Sequence, residues 1–215
     1  MKYDRNTVKA WAGDSQWRAL QADLARFRVH GYSGWVSEGF WALVLYRLER
    51  SARSSRPRWL WAPARLGLAL VRKLFTVITH IALDPNAQIG PGLLIPHVGP
   101  VRVGAGVKIG ADCALFHVST IGANLQTGAG ATIGDHVFIG CHSSILGPVT
   151  IGDSATISAN SLVISDVPAG ATAIGVPARM ILRDPTEDKG CRGSQVLGLS
   201  SVPEAHNPGT STLTG

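Results

Sequence analysis

Residues 101–163 read VRVGAGVKIGADCALFHVSTIGANLQTGAGATIGDHVFIGCHSSILGPVTIGDSATISANSLV, and an aliphatic residue recurs in this stretch at every sixth position. Only Thr127 breaks the series, which runs Val103, Ile109, Leu115, Ile121, Thr127, Ile133, Ile139, Ile145, Ile151, Ile157 and Val163. Glycine often follows the aliphatic residue, and a small or β-branched residue often comes four places after it. A period of six residues is typical of short strands stacked in a β-solenoid.

The period has a simple geometric meaning. Six residues form one flat side and a turn, so three hexapeptides close a triangular coil with the aliphatic side chains inside. Neighbouring coils hydrogen-bond at the ordinary strand spacing of about 4.8 Å. Because no coil buries its apolar face alone, stability comes from stacking. The sequence therefore predicts a mainly β fold, a parallel β-helix of hexapeptide repeats over residues 81–183.

Two other regions flank this solenoid. Residues 1–80 are predicted to be an α-helical segment, because apolar residues have helical spacing at 39–48 and again at 65–80. The polar segment 51–57, which contains a proline, separates the two stretches. Residues 184–215 are rich in Gly, Ser, Thr and Pro without periodicity, and we expect a disordered tail.

Charge and composition narrow the function classes. Residues 1–80 carry most of the basic side chains of a chain whose formal net charge is +6, but no nucleic-acid-binding motif accompanies them. All six tryptophans precede residue 62, so they either pack the helices or allow peripheral membrane contact. No apolar run matches a secretory signal or a membrane span. Three widely spaced cysteines favour a reducing cytoplasm.

Two histidines are candidates for chemistry on this scaffold. His97 and His117 each come two residues after an inward aliphatic residue, and they are one coil plus a two-residue slip apart. We therefore expect them to stack in adjacent coils. If the period holds through 122–130, the same column continues to Asp135 and Asp153, where a structural role as hydrogen-bond acceptors is the first expectation.

Four segments resemble the hexapeptide-repeat acetyltransferases, and within them the serine O-acetyltransferase branch. The resemblance covers about residues 35–183 and rests on GFWALVLYR (39–47), IPHVGPVRV (95–103), HVSTIG (117–122) and AIGVPAR (173–179). It implies a left-handed β-helix that assembles as a homotrimer, and in some members as a dimer of trimers. It also implies acetyl-CoA as co-substrate and no metal.

The resemblance assigns roles to individual residues. His97 matches the general base, because an imidazole can take a proton from an acceptor hydroxyl near neutral pH and return it to the leaving thiolate. Stacking predicts that His117 is a second catalytic residue, which positions the acceptor or the base. The residues implied at the pantetheine channel and CoA phosphate are Ser158, Ala159, Asn160, Gly175, Val176, Pro177 and Arg179.

The chain departs from the serine-specific pattern at three places. Pro96 stands where an acidic residue precedes the base, and residues 127–131 replace a loop that carries a second functional histidine. Ala82 stands where a carboxylate that steadies the base is expected, with Asp84 as an offset candidate. L-serine, as in cysteine biosynthesis, is the first candidate acceptor, and a sugar of a surface-polysaccharide precursor is the alternative.

Two other classes stay open at this point. A γ-type carbonic anhydrase binds zinc through three histidines on the same solenoid, and His136 and His142 are further candidates. However, we expect His142 to project away from the column of His97 and His117. The second class is a catalytically silent trimeric scaffold.

Overall fold

The structure is a computed structural model that describes residues 16–32, 37–54, 62–123 and 127–182. These residues all belong to one unit, Met1–Arg183. The predicted tail, 184–215, lies outside the described residues. Three helices come first: α1 (Gln16–Val29), α2 (Glu38–Ser54) and α3 (Ala62–Thr79). Of the helices in the described ranges, none is both long enough and apolar enough to cross a membrane.

Short strands joined by turns follow the helices in the described chain. They are β1 (Ile81–Leu83), β2 (Gln88–Ile89), β3 (Val101–Val103), β4 (Lys108–Ile109), β5 (Ala114–Leu115), β6 (Ser119–Ile121), β7 (Thr132–Ile133), β8 (Phe138–Ile139), β9 (Ser144–Ile145), β10 (Thr150–Ile151), β11 (Thr156–Ile157), β12 (Leu162–Val163), β13 (Thr172–Ile174) and β14 (Arg179–Ile181).

The strands form the three faces of a triangular solenoid. Sheet 1 has the order β1-β3-β6-β9-β12, sheet 2 the order β2-β4-β7-β10, and sheet 3 the order β5-β8-β11-β13-β14. Every pair is parallel except β13 and β14, which close the last coil as an antiparallel pair. The left-handed β-helix with a helical segment before it is thereby confirmed.

The aliphatic series forms the core, and its one exception has a structural reason. Its ten aliphatic members are at most 3% exposed, and each contributes on the order of 1.5–3 kcal/mol by burial. The register pairs Ile109 with Ile133 and Ile121 with Ile145, so 24 residues separate these partners instead of 18. Six residues are therefore inserted between β6 and β7, and Thr127 lies exposed in the insertion.

Helix α2 lies directly on the first coil. The hydroxyl of Tyr46 donates to the carbonyl of Ala87 (2.8 Å) and accepts from the amide of Ile89 (3.2 Å). Arg47 Nη1 donates to the Ile89 carbonyl at 2.7 Å, and Nη2 donates to the Gly90 carbonyl at 2.6 Å. The segment 39–47 therefore fixes the helices to the solenoid.

A buried ion pair completes this junction. Asp23 of α1 is 0% exposed and Arg47 is 2% exposed, with 3.1 Å between Arg47 Nε and Asp23 Oδ2. Asp23 Oδ1 also accepts from the amides of Gly92 (2.7 Å) and Leu93 (3.1 Å). Burial raises the pKa of the Asp23 carboxyl, while the charge of Arg47 and these hydrogen bonds act to lower it.

Substitution of Gly39 should damage this junction. A Cβ at Gly39 would overlap the carbonyl oxygen of Ile95, two residues before His97. In an exposed helix, Gly→Ala stabilises by about 1 kcal/mol; here we expect Gly39→Ala to lower the free energy of unfolding by about 1–3 kcal/mol, as overpacking does. Urea unfolding measures the change, with Gly67→Ala in α3 as the control because a Cβ there meets nothing within 4 Å.

Candidate active site

One corner of the solenoid, where sheet 3 turns into sheet 1, gathers most of the predicted site residues. Leu94 bridges to Ala114, and the register then pairs Leu115 with Ile139, Ile139 with Ile157 and Ile157 with Ala173. Counting two residues onward from each strand gives one column: His97, His117, Cys141, Ala159 and Gly175. We call the turns 96–100, 116–118, 140–143, 158–161 and 175–178 the histidine corner.

The column confirms one prediction and corrects another. The imidazole rings of His97 and His117 are adjacent, with 5.7 Å between centroids. The continuation to Asp135 and Asp153 is wrong, because the inserted six residues move both aspartates to the corner between sheets 2 and 3. There Asp135 Oδ1 accepts from the amide of Ala111 (2.9 Å), and Asp153 Oδ1 accepts from the amide of Asp135 (2.8 Å).

The side chain of His97 is exposed to solvent, but two aromatic rings lie next to it. Its ring contacts Tyr32 edge-on at 6.1 Å and Phe116 at 5.5 Å between centroids. Tyr32 reaches this position because α1 ends at Val29 and the chain turns through Gly31, which has a φ of 74°. The amide of Tyr32 donates to the carbonyl of Phe27 at 3.0 Å. The helical segment thus contributes a side chain to the histidine corner.

His117 is half-buried and has unused hydrogen-bonding capacity. Its Nδ1 is buried without a hydrogen-bond partner among the described residues. Gly99 lies against it, so close that a Cβ there would be 3.1 Å from the Cβ of His117. A buried polar atom without a partner is rare in folded proteins and calls for a structural or functional explanation.

His142 also belongs to this cluster. Its ring centroid is 6.0 Å from that of His117, so the expectation that it projects elsewhere is wrong. It has a φ of 58°, in register with Val118 (56°) and Asn160 (59°). The left-handed turn explains the difference, because it directs the side chain back toward the column. The sequence signal was the residue type, since Asn, Asp and His favour this conformation.

The residues predicted for the cofactor lie farther along the same corner. The amide of Leu162 donates to the carbonyl of Gly175 (3.0 Å), and the amide of Gly175 donates to Ser161 Oγ (3.2 Å). These bonds bring the turn of Ser158, Ala159 and Asn160 against the turn of Gly175, Val176 and Pro177. Arg179 follows as an exposed residue at the start of β14. Three coils separate Ala159 from His97, about 14 Å at the ordinary strand spacing.

The carboxylates of Asp84, Asp112 and Glu49 bind groups other than His97. Asp84 Oδ1 accepts from the amide of Asn86 (2.7 Å) in the turn from sheet 1 to sheet 2, so it does not steady His97. Asp112 pairs with Arg26 (3.1 Å), and Glu49 pairs with Arg53 and Arg72. Within the described ranges, no carboxylate hydrogen-bonds to His97.

The cysteines differ in reactivity. Burial raises the pKa of the Cys113 thiol to about 12, so this thiol stays protonated at neutral pH. Cys141 is half-buried and lies in the column of the histidine corner. Across the part of the chain that the structure describes, no three His, Cys, Asp or Glu side chains are arranged to hold a metal ion.

The sequence of this chain is similar to those of known proteins. Residues 130–165 match the family "Bacterial transferase hexapeptide (six repeats)". The serine acetyltransferase of Buchnera aphidicola subsp. Schizaphis graminum is 31% identical over 86 residues, which are 40% of this chain and 30% of that protein. That of Helicobacter pylori is 36% identical over 39% of this chain and 45% of the relative. The chain thus spans less than half the length of the curated relatives that it matches.

Solved structures match over a longer range. The Neisseria gonorrhoeae serine acetyltransferase in complex with serine superposes with a TM-score of 0.67 at 27% identity, over 80% of this chain and 72% of that one. A serine acetyltransferase in complex with CoA gives a TM-score of 0.64 at 28% identity, over 79% of this chain and 71% of that one.

The soybean serine acetyltransferase apoenzyme extends this similarity. It is 31% identical, with a TM-score of 0.65 over 80% of this chain and 72% of that one. The match reaches well beyond the repeat itself, into the helical segment that carries Tyr46 and Arg47. The chain therefore belongs to the hexapeptide-repeat acetyltransferases, in their serine O-acetyltransferase-like branch.

Proposed function

We propose that this protein is an acetyl-CoA-dependent O-acetyltransferase that works at the histidine corner. The observation that carries the proposal is the register: His97, His117 and the turns 158–160 and 175–177 share one corner of the solenoid. An elongated co-substrate can follow this corner, with its acyl end at His97 and its phosphates toward Arg179. The small residues Ala159 and Gly175 leave space along that path, and the serine acetyltransferase solved with CoA supports the same ligand.

His97 is proposed as the general base. It takes the proton from the acceptor hydroxyl while that oxygen attacks the thioester carbonyl carbon, and a tetrahedral intermediate forms. When the C–S bond breaks, His97 gives the proton to the departing sulfur, so the products are the acetyl ester and CoA. Its exposed ring is accessible to an acceptor, and Tyr32 and Phe116 restrict its orientation. His117, whose ring centroid lies 5.7 Å from that of His97, is proposed to position the acceptor or the base.

L-serine is the first candidate acceptor, in cysteine biosynthesis. The relatives named serine acetyltransferase support it, as does the neighbouring structure solved with serine. The alternative is a sugar hydroxyl of a surface-polysaccharide precursor. One observation favours it: the described residues place no carboxylate beside His97 to receive the ammonium group of serine, and a desolvated ammonium needs such a partner.

Thiol release from acetyl-CoA by the purified full chain tests the proposal. Serine and a panel of sugars and nucleotide sugars are compared as acceptors. Release that requires L-serine identifies a serine acetyltransferase, and release with a sugar alone identifies the alternative. If no acceptor in the panel raises release above the rate without acceptor, the catalytic proposal is wrong and the scaffold class gains support.

We also propose a homotrimer in the cytoplasm. Leu146 and Ile164 occupy equivalent positions on adjacent coils and are 43% and 56% exposed, as expected of a surface that another copy covers. The unpaired Cys113 and Cys141 support a reducing compartment. Light scattering of the full chain should give three times the chain mass of 22.7 kDa, or a multiple of it if the trimers pair.

A further inference from the structure

Helix α3 presents an apolar face to solvent. Its outward large aliphatic residues are between 52% and 69% exposed, a level typical of side chains without a partner. They recur at helical spacing along the whole helix, so they form one continuous surface. We call this surface the α3 stripe: Leu66, Leu70, Val71, Leu74, Val77 and Ile78. Contiguous exposed apolar surface of this kind marks an interaction site.

Polar contacts on the opposite face fix the rotation of α3. Arg72 Nε lies 2.7 Å from Glu49 Oε2 of α2, and Glu49 is 2% exposed. Thr76 Oγ1 donates to the carbonyl of Ile81 at the start of the solenoid (3.2 Å). The helix therefore cannot turn its stripe inward without breaking a largely buried ion pair. The outward orientation of the α3 stripe is therefore set by the contacts of the fold.

Charge around the stripe favours one kind of partner. Between residues 50 and 83 the sequence has no Asp or Glu and seven basic residues: Arg50, Arg53, Arg56, Arg58, Arg65, Arg72 and Lys73. On α3 itself, Lys73 is exposed at the margin of the stripe, whereas Arg65 is two turns before Arg72 and lies on the face that packs on α2. A second copy of the chain would bring like charges together, which opposes pairing. An anionic lipid surface instead matches both the cations and the apolar residues.

We propose that the α3 stripe docks the protein on the surface of an anionic phospholipid bilayer. The helix is 18 residues long, about 27 Å at 1.5 Å per residue, and would lie in the plane of the interface. The apolar side chains enter the boundary between headgroups and acyl chains, and Lys73 meets a lipid phosphate. This docking goes beyond the proposed transferase activity and does not depend on it.

Flotation of the full chain with vesicles tests the docking. Vesicles of phosphatidylcholine alone are compared with vesicles that also contain phosphatidylglycerol at roughly 40 mol%, which gives them the negative surface potential that attracts basic side chains. We expect the protein to float with the anionic vesicles, with binding that weakens as salt rises. Leu70→Ser/Leu74→Ser should weaken binding at least about tenfold, and Lys73→Gln should weaken it about fivefold.

Matched variants distinguish docking through the α3 stripe from nonspecific hydrophobic adsorption to vesicles. Val29→Ser removes an aliphatic side chain of α1 that is 83% exposed, and it should leave flotation unchanged. Equal flotation of Leu70→Ser/Leu74→Ser and the unmodified protein would overturn the proposal, as would absence of flotation by the unmodified protein. A change of oligomeric mass in Leu70→Ser/Leu74→Ser without vesicle binding would also overturn it, and would assign the stripe to contacts between copies.

Discussion

Replacement of His97 by asparagine should lower the rate of thiol release from acetyl-CoA by about 10²–10⁴-fold, the usual contribution of a general base. Asparagine keeps a polar side chain of similar size but cannot take the proton of the acceptor hydroxyl. Because His97 is exposed and makes no hydrogen bond with the described residues, the free energy of unfolding should change little. Steady-state kinetics and thermal unfolding of the same preparation measure both quantities.

His136→Asn is the matched control for this substitution. His136 lies at the corner between sheets 2 and 3, and its φ of 57° is one that asparagine tolerates. The turnover of the His136→Asn variant should equal that of the unmodified protein. Full turnover by His97→Asn in an intact assembly would remove His97 from the mechanism.

Replacement of Arg47 by alanine should lower the free energy of unfolding by about 3–5 kcal/mol, the usual cost of breaking a buried ion pair. The variant leaves Asp23 buried without its counter-ion, and the carbonyls of Ile89 and Gly90 lose their donors. Because burial raises the pKa of Asp23, the protonated form becomes favoured in the folded variant. The deficit should therefore grow as the pH rises from acid to neutral.

Two further variants make this prediction specific. Arg53→Ala removes a more exposed partner of Glu49 and should cost at most about 1 kcal/mol. Asp23→Asn/Arg47→Met removes both buried charges but keeps a side-chain oxygen for the amides of Gly92 and Leu93, so it should recover part of the stability that Arg47→Ala loses. Urea unfolding measures all three, and a loss below about 1 kcal/mol in Arg47→Ala would show that the pair does not hold the helices to the first coil.

The hexapeptide period was enough to predict the solenoid, because few folds besides a β-solenoid bury an aliphatic residue at every sixth position. It could not predict the insertion between β6 and β7. Six added residues equal one repeat, so the phase of the series is the same before and after them. Thr127 was the only signal, and the wrong column through Asp135 and Asp153 follows from this coincidence. The two-residue slip before Val103 was visible because it does change the phase.

At the candidate site, too, the repeat spacing could predict some contacts and not others. The stacking of His97 on His117 depends on repeat spacing alone and could be predicted. Tyr32 reaches His97 from another element, at the end of α1, and Asp23 meets Arg47 between two helices. Such contacts depend on how the helices pack on the first coil, which repeat spacing does not encode. His142 was missed because its direction is set by a left-handed turn.

Alkylation of Cys141 tests most directly whether acetyl-CoA lies along the histidine corner. In Cys191→Ser protein treated with iodoacetamide and followed by mass spectrometry, Cys141 should react. Acetyl-CoA at roughly ten times its Kd should slow that reaction about tenfold, as mass action requires. Cys113 should stay unmodified in both samples, because its pKa of about 12 keeps the thiol protonated. Equal alkylation of Cys141 with and without acetyl-CoA, in protein that still releases thiol, would contradict a binding path along this corner.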